Sequence, residues 1–354
     1  MTEIERQTDD GDTGDNMFHG AVDWGLAAKA GVRLARKGPA MTRYTADAAD
    51  AELADASRRA EGPVRDVTGL ADGLPVPDAL VLDRAGWIEA AANSMAQLTG
   101  GEGSSGLIVG KPAGLQAGAM LAYLSSAVLG QYDPFTDDGT LLLITPNVVA
   151  VERALKVPPS DFRLWVCLHE VTHRVQFSSS PWLADYMQQT VETLGSGADE
   201  SVTDIAGRLA DAVRGRGEGA DGSVGGIVGL LRATQAPPQR EALDRLLVLG
   251  TLLEGHADHV MDAVGPAVVP SVARIRSAFD ARRHRKSNPV QRLVRALLGM
   301  DAKIAQYVRG KSFVDAVVNR VGMQQFNAVW AGPDTLPLLT EIEQPDAWVR
   351  RVLG

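Results

Sequence analysis

The chain has 354 residues, 45% of them hydrophobic, 22% charged and only 5% aromatic, with a net charge of −9. That length supports a large core and, as a prior, two lobes, while the acidic total speaks against a nucleic-acid surface. One cysteine, Cys167, excludes intramolecular disulfides and therefore a disulfide-stapled fold.

Residues 1–18 are polar, acidic and aperiodic, which predicts a disordered tail. With no apolar run there to act as a signal peptide, a cytoplasmic setting is expected. Helices are predicted over 21–37 and 44–61, ended by Gly38-Pro39 and by Gly62-Pro63. Turn residues fill 69–77. Asp83 is placed to cap a helix over 83–98, where Trp87, Ala91 and Met95 recur every four residues on one face. A connector follows at 100–106. The uncharged run 112–130 has too much glycine, alanine and serine for a membrane span and predicts a core helix over 115–129.

The apolar run 139–146 is the best strand candidate, with 106–109 as its expected partner. An edge of such a strand, just ahead of the next helices, could pair with an extended substrate. Asn147 is expected to cap a helix through Leu155, and Pro158-Pro159-Ser160-Asp161 to open another that runs to about Phe177.

Beyond Gly195 the composition shifts. An amphipathic helix is predicted over 199–213, followed by a Gly-rich stretch at 215–229 that reads as a lid over a cleft or as a plain loop. Leu243, Leu246, Leu247, Leu249, Leu252 and Leu253 give 238–264 a wide apolar face, ended by Gly265-Pro266. Helices over 269–285, 289–304 and 312–322 complete the chain, with the basic cluster 282–286 as a solvated helix end and Trp330 and Trp348 as packing residues. The expectation is a mainly α fold with a small β element (α+β), divided at about 19–194 and 195–354.

The chemistry concentrates in His169-Glu170-Val171-Thr172-His173, set in the apolar run Leu164-Trp165-Val166-Cys167-Leu168. On a helix, histidines four apart share a face and can reach one ion. Burying two imidazoles and a carboxylate among Leu, Trp and Val is costly unless a partner compensates, and a cation is such a partner. This is the HExxH signature of zinc metallopeptidases, in which the glutamate is general base and not ligand. Cys167 falls on another face and reads as a small buried residue, and Trp165 and Phe177, on the flanks of the helix, read as core. Gln176 is placed to hydrogen-bond near the histidines, and Arg174 to pair with an acid.

Catalytic zinc takes three protein ligands and keeps one position open. The other dense cluster of ligand types is Glu254-Gly255-His256-Ala257-Asp258-His259, in the middle of the leucine-rich helix. Glu254 follows Leu252 and Leu253, so its carboxylate is not a surface group by pattern and is the preferred third ligand. His256 or His259 is the alternative, with Glu254 then in a salt bridge. Asp258, one turn on, could accept from the Nδ1–H of a ligating histidine. Gly255 would let helices approach closely. For the developing oxyanion the candidate donors are His256, His259 and Tyr186.

The segment 164–180, with Gly130-Gln131-Tyr132-Asp133-Pro134 before it and Glu254-Gly255-His256-Ala257-Asp258-His259-Val260-Met261-Asp262 after it, resembles a bacterial zincin-like metallopeptidase family. Its members are uncharacterised hydrolases, some labelled as associated with biosynthesis of a deazaflavin coenzyme. The stretches 299–303 and 322–330 look similar too, so the resemblance spans roughly 80–350. It implies a largely helical zincin-type hydrolase with Zn2+ on His169, His173 and Glu254, and with Glu170 as the base. The expected activity is cleavage of an amide bond in a peptide; a small-molecule amidohydrolase and a metal-stabilised protein without turnover are the alternatives. No nucleic acid and no membrane is expected as a partner.

Overall fold

The structure is a computed structural model that describes residues 22–99, 110–136, 139–195, 236–283 and 300–354. The readings placed on 1–18, 100–106, 106–109, 199–213, 215–229 and 289–299, and on the side chains of the basic cluster 282–286, lie outside the described residues.

Helical periodicity prevails in the fold. The helices are α1 (Trp24–Leu34), α2 (Arg43–Thr68), α3 (Arg84–Leu98), α4 (Lys111–Leu124), α5 (Thr145–Leu155), α6 (Pro159–Ser179), α7 (Trp182–Gly195), α8 (Pro237–Val264), α9 (Val272–Arg283) and α10 (Met300–Val321). Short helices α11 (Met323–Phe326), α12 (Leu339–Glu343) and α13 (Pro345–Val352) close the chain. The side chains of Asp23, Thr42 and Asp83 accept the first free N–H groups of α1, α2 and α3, while α5, α6 and α8 open on proline, whose missing N–H costs nothing there. No described helix is long and apolar enough to cross a membrane.

The sheet has strands β1 (Leu80–Leu82), β2 (Gly130–Asp133) and β3 (Thr140–Ile144), in the order β1-β3-β2. β3 is central. It runs parallel to β1, with Leu80 opposite Leu142, and antiparallel to β2, with Gly130 opposite Leu143. Both faces of β3 are covered, which explains why it is apolar throughout instead of alternating. Leu141 and Leu143 enter a core built on α2, α5 and α6, whereas Leu142 and Ile144 meet Trp87 and Ile88 of α3. Since β1 and β2 occupy both of its edges, β3 is not the substrate-pairing strand that the sequence suggested. Among the described strands, β2 is the edge on the side of α6.

Other expectations are corrected in ways that share a cause. α2 continues through Gly62-Pro63 to Thr68, because Ala60 and Val64 stay buried on its inner side while Arg59, whose carbonyl the proline orphans, is exposed to water. α4 ends at Leu124, short of the predicted Leu129. There the hydroxyls of Ser125 and Ser126 turn back to the carbonyls of Ala122 and Tyr123, and Asn147 captures the carbonyls of Ser125 and Val128. Asn147 is therefore a buried tie between segments and not a helix cap; its Oδ1 accepts from Arg84 Nε at 2.8 Å. The helices expected over 289–304 and 312–322 join in α10, which is unbroken from Met300 to Val321.

α6 and α8 position the site. α6 is buried on almost every side, with Phe162 and Leu168 fully enclosed. Truncating either to alanine should cost about 2–5 kcal/mol. α8 contributes Leu249, Leu252 and Leu253 to a C-terminal core with Phe313, Trp330 and Trp348, then Val260 and Met261 to the core that holds α6. Residues 254–259 lie at the seam between these two cores. At that seam α8 also crosses α10: a Cβ on Gly255 would lie 2.2 Å from Gly310 C, and one on Gly310 only 2.0 Å from Thr251 O. Gly255 thus permits a close approach, as expected, but to α10 and not to the motif helix.

Candidate metal centre

His169 and His173, one turn apart on α6, turn their Nε2 atoms toward each other at 3.2 Å. Glu254 reaches across from α8, its Oε2 3.3 Å from His169 Nε2 and 3.8 Å from His173 Nε2. Three lone-pair donors therefore form a small triangle, all within 4.8 Å of one another. Tetrahedral zinc with ligands at about 2.0–2.1 Å has ligand-to-ligand edges of about 3.3 Å. The observed edges fit that geometry, and two imidazoles with one carboxylate is a donor set that zinc accepts.

The electrostatics fit as well. Burial alone would lower the pKa of His169, but the hydrogen bond and charge of Glu254, with the charges of Glu170 and Asp258, outweigh it and raise the value to about 9.

Glu170 is buried beside the cluster against β2. A Cβ on Gly130 would come within 2.6 Å of Glu170 Cγ and 3.0 Å of its Oε1, so only glycine lets the strand pass this close. Gly130 was not singled out from the sequence as a site residue. Its signal was there, a glycine at the first position of a strand next to polar Gln131 and Tyr132.

The other residues of the second cluster fan out around α8. His256 is fully buried, stacked on Phe326 at 5.5 Å and near Trp330 at 5.3 Å. Burial, then the neighbouring His259 and His173, lowers its pKa to about 3, so it is neutral. Its Nδ1 accepts from Gln176 Nε2 at 2.9 Å. Asp258 does not hydrogen-bond a site histidine among the described residues; it pairs with Arg276 at 3.5 Å and acts on His169 through its charge. The residue that holds a histidine Nδ1 is Gln176, whose Oε1 lies 2.9 Å from His173 Nδ1. His259 Nδ1 is held by Asp315 Oδ1 at 2.7 Å, and Asp315 in turn binds Lys311.

Tyr186 belongs to α7 and not to a continuation of α6. α6 stops at Ser179, and Tyr186 packs edge-on against Trp182 of α7 at 5.8 Å, in reach of the charges of Arg245 and Glu241. Those residues precede Glu254 by nine and thirteen positions, roughly 13–20 Å along the helix axis. Cys167 is fully enclosed with Sγ toward Leu53 O, and Arg174 pairs with Glu61, both as the sequence indicated.

This helical protein brings two histidines and a carboxylate together from separate helices, a group that could hold a metal ion, with a glutamate beside them. The chain is a member of the zincin-like metallopeptidase family, whose sequence profile matches residues 22–349. It is also similar to a solved structure, "a putative hydrolase with a novel fold" from Chloroflexus aurantiacus, at 31% identity over 93% of this chain and 98% of that one, with a TM-score of 0.67. No curated protein matches significantly. Family membership supports a metallohydrolase and implies a metal, typically zinc.

Proposed function

We propose that the protein is a zinc-dependent hydrolase that cleaves amide bonds, with an extended peptide as its substrate. The observation that carries this reading is the triangle of His169, His173 and Glu254 with edges of 3.2, 3.3 and 3.8 Å, next to a buried glutamate that is not part of it. Zinc held there would acidify a water molecule and polarise the scissile carbonyl. Glu170 accepts the proton of the attacking water and delivers it to the leaving nitrogen, a role suited to a carboxylate adjacent to a ligand yet directed toward β2. The edge of β2 left unpaired among the described strands offers backbone N–H and C=O groups to an extended chain, and Gly130 brings that edge against the base. The buried, unpaired Cys167 suits a cytoplasmic setting.

The test is metal analysis of the purified protein, followed by turnover of a peptide library by the wild type and by Glu170→Gln. One zinc per chain is expected in both. Turnover should fall about 10²–10⁴-fold in the variant, the usual share of a general base. Undiminished activity in Glu170→Gln would remove the base assignment, and absence of zinc in the wild type would remove the whole reading.

A further inference from the structure

We propose that Gln176 is the positioning residue of the metal centre: one buried amide that sets the tautomer of His173 and fastens the two ligand-bearing helices together, itself held by His256. The inference rests on the metal-site reading above and assigns a role to residues outside the ligand set.

Gln176 and His256 are both fully buried. The Gln176 side chain makes three contacts: Oε1 to His173 Nδ1 at 2.9 Å, Nε2 to the Leu253 carbonyl at 3.0 Å, and Nε2 to His256 Nδ1 at 2.9 Å. A carbonyl oxygen can only accept, so the nitrogen end of the amide must face Leu253. The oxygen end then faces His173, which must carry its proton on Nδ1 and donate it. His173 Nε2 is left with its lone pair, and this is the atom in the triangle with His169 and Glu254. The second amide proton of Gln176 needs an acceptor, and His256 Nδ1 supplies it in the neutral Nε2–H tautomer.

Leu253 immediately precedes Glu254. The same amide therefore holds a histidine ligand of α6 and the backbone that carries the carboxylate of α8. His256 is in turn wedged against Phe326 and Trp330, so the segment that follows α10 braces the metal site although it contributes no ligand. A buried amide with all its donors and acceptors met has little freedom to rotate, which is what preserves a ligand geometry.

Zinc affinity, measured by competition with a chromophoric chelator, and the melting temperature of the metal-free protein test this together. Gln176→Met keeps the bulk and removes both functions; about 10–100-fold weaker zinc binding is expected, the usual consequence of losing a residue that orients a ligand. Gln176→Glu restores an acceptor for His173 without the donors and should bind zinc more tightly than Gln176→Met, an order that a merely space-filling role would not produce. Equal affinities in wild type and Gln176→Met, or Glu no better than Met, would overturn the proposal. A wild type without zinc would instead overturn the metal site itself. Should the variants fail to fold, two-bond ¹H–¹⁵N correlations of zinc-loaded wild type decide: His173 protonated at Nδ1 supports the proposal, and His173 bare or metallated at Nδ1 refutes it.

Discussion

Near the start of α6, Arg163 meets Glu152 through two parallel hydrogen bonds, at 2.8 and 3.0 Å, and also contacts Glu52. Between about two and three turns further along the same helix, His169 and His173 meet Glu254. Both clusters are substantially buried, yet they are built on opposite plans. Around Arg163 a planar cation faces carboxylates of matching shape, so donors and acceptors are paired within the chain. Around His169 three lone-pair donors converge on one point, and the carboxylates of Glu254, Glu170 and Asp258 raise the pKa of His169 there. A buried polar cluster that closes on itself holds helices in place. One whose lone pairs all point inward has the form that could hold an ion.

Removing a member of each cluster should separate these roles. His169→Ala or Glu254→Ala is expected to abolish stoichiometric zinc and with it all zinc-dependent turnover, read by metal analysis of the folded variant; retention of one tightly bound zinc would assign the ligand elsewhere. Arg163→Met should leave zinc binding intact but cost about 3–5 kcal/mol in denaturant unfolding, because Glu152 is left buried without its partner. A smaller penalty, about 1–3 kcal/mol or somewhat more, is expected for Gly310→Ala, whose new Cβ must push α10 away from the Thr251 carbonyl of α8. If that variant also weakens zinc binding, the α8–α10 crossing belongs with the candidate metal site and not with the scaffold.

The smallest effect concerns pH. Glu341 and Arg351 repeat the self-closing plan, with bonds of 2.8 Å from Nε and Nη2 of Arg351. Burial alone would raise the Glu341 pKa, but these bonds, an N–H from Leu338 and the charge of Arg351 lower it below the ordinary 4.5. A depressed carboxylate contributes stability above its unfolded pKa and loses it as pH falls through the folded value. Wild type should therefore lose part of its stability below about pH 4.5 that Glu341→Gln never possessed, so the two melting curves should converge as the solution is acidified.

Much of the architecture could be read locally. The span of α6, the cap of α3, the core strand and the pair His169 and His173 follow from cap residues, periodicity and i, i+4 spacing, which involve only near neighbours in the chain. The errors arose where distant contacts overrode local signals. Gly62-Pro63 reads as a helix end, but the buried face of α2 carries the helix past it. Asn147 reads as a cap, but carbonyls from the end of α4 claim its amide. Tyr186 reads as lying on a continuation of α6, but α6 stops at Ser179 and Tyr186 sits on α7.

The cluster 254–259 shows the division most plainly. Its composition identified a second source of ligand-type residues, but not which residue does what. Successive residues of a helix point about 100° apart, so neighbours in sequence face different neighbours in space. In the folded chain Glu254 turns to the histidines of α6, His256 to Gln176 and Phe326, Asp258 to Arg276 of α9, and His259 to Asp315 of α10. The sequence by itself determined that this chain carries an HExxH helix and a second acidic, histidine-rich helix. Tertiary packing decided which face of the second helix meets the first, because that choice depends on every helix competing for the same two cores.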